Sequence, residues 1–348
     1  MQAIRFAGPF AFLISIPLLY AISPPAALAM PLSLLLALLV LEQIGRSGDR
    51  ASLGSRTIRL LPIAYIPLQL AVTSWAACEA AHRAASVASF ASLTLSVGVG
   101  AGVFGMLAAH ELVHSRSRWE RRLGLLMLFG MSYPHFRIAH LHGHHRHAVT
   151  VRDASTAHLG ENFYRFLVRA LAAQLAQAWR FERQRNRRKQ IVFLHNRVVQ
   201  GAAVLAAFYS LVLLVSQKAA GFVAAQSAIA IMVLELFNYI AHYGLVRRVR
   251  EGRLERLAPH HSWNSSGLGN VLIFNMGHHS DHHRAPESAF DRLGRAAGAR
   301  ELPAGYAGAV LLALVPPLWR AVMDRRIGTA PEAEFAYNAD RRPATLTP

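Results

Sequence analysis

Six apolar runs, at residues 8–22, 26–41, 60–80, 87–109, 198–215 and 219–241, constrain this chain more than any other feature. A helix needs about twenty such residues to cross roughly 30 Å of hydrocarbon, and in a bilayer every backbone polar group must be satisfied inside the protein. The expected fold is therefore all-α, a polytopic membrane protein with six transmembrane helices, the whole of 1–348 forming a single integral membrane domain. The first two runs are short individually and are joined by the turn Ser23-Pro24-Pro25. Because a second apolar run follows at once, the first reads as a membrane helix and not as a cleaved signal peptide.

Charge sets the expected orientation. Of 37 Lys and Arg, all but Arg83 and Lys218 fall before span one, between spans two and three, between spans four and five, or after span six. The positive-inside rule then places both termini and the long middle loop in the cytoplasm of a bacterial-type inner (plasma) membrane. The same partition puts every one of the 18 histidines except His82 on that side. The formal net charge of +18 fits anionic lipid headgroups. Its densest stretch, Arg180 to Lys189, could also dock a small acidic redox partner, and no aromatic-interleaved module points to nucleic acid. The single cysteine, Cys78, excludes an intrinsic iron–sulfur cluster and any intrachain disulfide, so electrons must come from another protein.

Nine histidines cluster where apolar runs end on that side, in the regions 110–197 and 242–348. His110 and His114 stand at i, i+4, one turn apart on a helix face, where both imidazoles can hold one metal. His140 and His144 repeat that spacing, with His145 about 100° further round and able to reach a second ion. His242 closes span six, and His279, His282 and His283 stand at i, i+3, i+4 on one helical face. Glu111 and Asp281 are acids suited to accept the free ring N–H of a ligating histidine. His135, His142 and His147 read as surface residues of a His-rich tract.

Imidazoles suit zinc, copper, nickel and iron alike, so ligand type does not name the metal. Nine nitrogens over two ions give four or five each and leave positions open for O₂, whereas a structural zinc would be closed. HELVH alone matches the HExxH of zinc proteases, with Glu111 as general base, but that reading leaves the other histidines without work. A metal-handling or haem-binding membrane protein would instead spread ligands through the span interiors. Trp75, Phe104 and Met106 are candidates for a substrate channel between spans.

The segments HELVH (110–114), HLHGHH (140–145), NYIAHYGL (238–245) and GHHSDHH (277–283), with VRDASTAHLGENFYRF (151–166) and HSWNS (261–265), resemble the membrane-bound alkane 1-monooxygenases and related xylene monooxygenase hydroxylase components. These belong to the histidine-box superfamily that also holds the fatty acid desaturases, and the resemblance covers about residues 60–325. It implies a non-haem di-iron centre of two Fe ions held by His110, His114, His140, His144, His145, His242, His279, His282 and His283. It further implies terminal hydroxylation of an alkyl chain with O₂ and electrons from rubredoxin or ferredoxin and its reductase; desaturation is the alternative chemistry of the same scaffold. Two positions depart from the family pattern, Ala139 and Ala241 standing where it often has Glu, and Glu235, two turns before His242, is the residue expected to compensate.

Overall fold

The computed structural model describes residues 6–45, 55–84, 86–250 and 253–327. Of the basic residues that set the expected orientation, Arg5, Arg46, Arg50 and those of the tail from 328 onward lie outside the described residues. The fold is all-α and polytopic, and among the described residues the strand pairings are two residues long. Helix α1 spans Gly8–Ile22 and α2 Ala29–Ile44, entered through a 3₁₀ turn at Pro24–Leu28. Helix α3 spans Ser55–His82, and α4 runs Val87–Val113 through a π-turn at Ala101–Gly105. Next come α5 (Arg118–Gly130), a short segment α6 (136–147), α7 (Phe163–Lys189), α8 (Arg197–Val215) and α9 (Gln217–His242). The C-terminal part carries α10 (His279–Arg284), α11 (Gly305–Ala313) and α12 (Pro316–Ile327).

Five of the six expected spans are long and apolar enough to cross a membrane: Pro24–Ile44, Ile58–His82, Val87–Val113, Arg197–Val215 and Gln217–His242. The first, α1, has 15 residues, or about 22 Å at ~1.5 Å per residue, less than the full hydrocarbon thickness. It is nonetheless packed, with Leu13 and Ile16 fully buried and Phe12 edge-on to Phe104 of α4. The turn between α1 and α2 exposes carbonyls that lipid cannot satisfy, and α4 answers them: Ser92 donates to the Pro24 carbonyl at 2.6 Å and Ser96 to that of Ala27 at 2.7 Å. The hairpin between α8 and α9 turns at Ser216, whose hydroxyl caps α9 by accepting from the Ala219 N–H.

Close approach of α4 and α9 positions the site. A Cβ at Gly98 would lie 2.8 Å from Ile229 Cβ, and one at Gly102 would lie 2.9 Å from both the Cα and the carbonyl oxygen of Ala230. Without side chains there, the two backbones touch, and the ends of both helices deliver their histidines to the same place. Of the channel candidates, only Met106 lines a cavity beside the site. Phe104 packs against Phe12 and Tyr65, and Trp75 meets Tyr20 edge-on.

Candidate metal centre

All nine histidines converge. Among the described residues their ring nitrogens form two adjoining groups, His110, His114, His140, His145 and His282 in one and His144, His242, His279 and His283 in the other, each with donor atoms within 4.8 Å of one another. Their division differs from the one that α-helical spacing predicts for the second and fourth boxes. Residues 139–144 are a π-helix, and the wider turn carries His145 round to the side of His140, residues that in an α-helix would lie about 140° apart. The Nε2 atoms of His140 and His145 are 3.0 Å apart, and His144 passes to the other group. In the fourth box, His279 and His283 share one group at 3.1 Å, while His282 faces His145 at 3.3 Å.

These contacts fit shared cations and cannot be closed by hydrogen bonds. The Nε2 atoms of His242, His279 and His283 form a triangle with every side 3.1 Å. His242 Nδ1 lies 3.0 Å from the His261 carbonyl oxygen, which can only accept, so the proton sits on Nδ1 and Nε2 presents a lone pair inward. Two ligands at right angles, each about 2.1 Å from one ion, would stand about 3.0 Å apart. Burial first, and the neighbouring imidazoles second, hold His114, His140, His145, His279, His282 and His283 well below the usual histidine pKa. The rings are therefore neutral donors at physiological pH.

One acid that the sequence did not single out receives a clustered ring: Asp153, whose Oδ2 takes the His144 Nδ1–H at 2.8 Å and the Thr156 hydroxyl at 2.7 Å. Burial opposes its ionisation, but attraction to His144 and these hydrogen bonds outweigh it and lower its pKa. It stands nine positions after His144, joined by a turn with no helical period, so spacing could not pair them. Glu111 instead accepts the Phe290 backbone N–H at 3.4 Å, and Asp281 binds the Arg284 guanidinium and the Gly294 N–H. Glu235 is fully buried and hydrogen-bonded to Gln174, Tyr133 and Asn238, so its bonds run to α7, the chain before α6 and its own helix, not to a clustered ring. Ala139 and Ala241 are buried as small residues. The Nδ1 atoms of His110, His279 and His283 find no hydrogen-bond partner among the described residues.

An apolar cavity of about 350 Å³ leads to the centre between α2, α4 and α9. Leu32, Leu35 and Val103 are among its walls, and it ends on His110 and His140 of the five-imidazole group and His279 of the four-imidazole group. On the other side a polar cleft of about 670 Å³, lined by Glu111, Glu120 and Arg292, reaches His114.

Residues 85–312 match the fatty acid desaturase family. The chain is 38% identical to alkane 1-monooxygenase 2 of Pseudomonas aeruginosa over 275 residues, 77% of this chain and 73% of that protein. It is 36% identical to an alkane 1-monooxygenase of Acinetobacter baylyi over 76% of this chain and 65% of the relative. The xylene/toluene monooxygenase hydroxylase component of Pseudomonas putida is 32% identical over 264 residues, 72% of this chain and 70% of that protein. With nine imidazoles converging beside the ends of α4 and α9 and this likeness over most of its length, the chain belongs to the alkane 1-monooxygenase family.

Proposed function

We propose that this protein is a non-haem di-iron membrane monooxygenase that hydroxylates a terminal methyl group of an alkane or alkyl-substituted hydrocarbon. The observation that carries this reading is the apolar cavity whose inner end is formed by imidazoles of both groups. Iron bound there would supply O₂ activation, with one oxygen atom passing to the substrate and the other leaving as water. The nine histidines would hold two ions as neutral ligands. Asp153 fixes the His144 tautomer by keeping the proton on Nδ1, so that Nε2 offers its lone pair. Leu32, Leu35 and Val103 exclude water and align an extended chain, so that its methyl end is the part nearest the centre. The whole chain acts as one integral membrane domain, with both termini on the cytoplasmic side of a bacterial-type inner membrane.

Protein purified anaerobically in mild detergent should hold about two irons per chain, one for each group. Whole cells fed alkanes, alkylbenzenes and fatty acids together with a ferredoxin or rubredoxin system should release primary alcohols. Alkenes as the main product would make it a desaturase, and activity with stoichiometric zinc and no iron would overturn the di-iron assignment.

Two electrons per turnover must come from a separate carrier, rubredoxin or ferredoxin with its reductase, because Cys78 is the only cysteine. The basic end of α7 is the proposed docking surface. Arg185 there is engaged with Glu182 and the His195 carbonyl, whereas Arg183, Arg187 and Arg188 are exposed. Replacing those three by Gln should raise the apparent KM for the donor several-fold and flatten its ionic-strength dependence, with iron content unchanged. A triple variant that uses its donor as well as wild type at low salt would show the stretch to be a membrane-surface feature only.

A further inference from the structure

Glu255, His260 and His261 form a third group of potential ligands, but the His261 ring is already committed. Its Nδ1 accepts the Ala258 N–H at 2.9 Å, and its Nε2 donates to Glu255 at 2.9 Å. Both nitrogens are used and the ring is 2% exposed, so nothing remains for an ion. What the ring does hold in place is its own backbone, whose carbonyl oxygen meets His242 Nδ1 at 3.0 Å.

Resting on the reading of the centre given above, we infer that the loop 255–262 is a positioning device for the four-imidazole group, acting through the His261 carbonyl on His242. In that group two of the four rings, His279 and His283, have Nδ1 atoms with no hydrogen-bond partner among the described residues. Orientation therefore falls on His144, held by Asp153, and on His242, held by this one carbonyl. The loop is anchored to match. Glu255 also accepts the Arg248 N–H at 2.7 Å. The buried Arg247 donates to the Glu255 carbonyl and to the carbonyls of Arg146 and Ala148, directly after the second box. One guanidinium thus ties the loop behind His242 to the chain that carries His144 and His145. A carbonyl held this firmly selects the Nδ1–H tautomer of His242 and sets the plane of its ring, leaving Nε2 aimed at its partners.

The test is anaerobic titration of the detergent-purified full chain with Co(II), read by visible absorption and by chelator competition. Wild type should take up two ions. In Glu255→Ala and His261→Ala, one of the two should bind roughly 10- to 100-fold more weakly, the usual cost of removing an outer partner of a ligating histidine. The other ion should be unaffected. Glu255→Gln keeps an amide oxygen that can accept from both His261 and Arg248, and should restore wild-type affinity. Adding His114→Ala to His261→Ala should weaken both ions, assigning the affected one to the four-imidazole group. Unchanged affinity in folded His261→Ala, parallel weakening of both ions in that single variant, or Glu255→Gln as weak as Glu255→Ala would each overturn the inference. A wild type that takes up no metal would overturn the reading of the centre itself.

Discussion

His144→Ala, His242→Ala and His279→Ala should each abolish turnover and leave purified protein with about one iron fewer than wild type, while His82→Ala and His158→Ala retain both iron and activity. The first three belong to one group of four buried rings, so each removal takes a quarter of its donors and leaves a cavity that water can enter. Loss of an outer hydrogen-bond partner already costs about 10- to 100-fold in metal affinity, so loss of a ligand should cost more. His82 is exposed at the far end of α3, and His158 stands outside both groups. Iron analysis beside product yield checks the result. Full activity in His242→Ala would show that this histidine is an interfacial residue at a helix end and that the four-imidazole group is not a site.

Gly102→Leu should do comparable damage from a position that belongs to neither group of histidines. Its Cβ would lie 2.8 Å from Val233 Cβ and 2.9 Å from the Ala230 backbone, and a backbone cannot rotate away as a long side chain can. Overpacking typically costs ~1–3 kcal/mol, and here it forces apart the two helices, α4 and α9, whose ends carry His110 and His242. The expected outcome is a lowered unfolding temperature in detergent with loss of bound iron. A variant with lower stability but wild-type iron content would show that the centre tolerates this displacement.

The spans were legible because hydropathy and helix length depend on composition alone, and α2, α3, α4, α8 and α9 extend only a few residues beyond the apolar runs at one or both ends. That these nine histidines would gather was legible because residue type and position next to the ends of apolar runs need no geometry. Their division into five and four was not, since it turns on the π-turn at 139–144, which no hydrophobic period announces. The role of Asp153 was not legible because its partner is reached through a turn, nor that of the His261 carbonyl because a backbone atom has no sequence signature. Glu111 and Asp281 stand next to His110 and His282 in sequence, yet adjacent residues on a helix point about 100° apart.

Helix α2 forms one wall of the cavity, while Leu36 and Val40 of the same helix are 63% and 45% exposed on a surface that lipid would cover. A substrate that arrives through such a wall is drawn from the bilayer, so the concentration that governs rate is a mole fraction in lipid. Michaelis constants quoted per litre of water should then rise and fall with the amount of membrane or detergent in the assay, while those expressed per lipid stay constant. Each added methylene favours the bilayer by about 0.8 kcal/mol, or roughly tenfold for every two carbons. An apparent preference for longer alkanes can thus arise wholly from partitioning, and the protein's own selectivity emerges only after that factor is divided out.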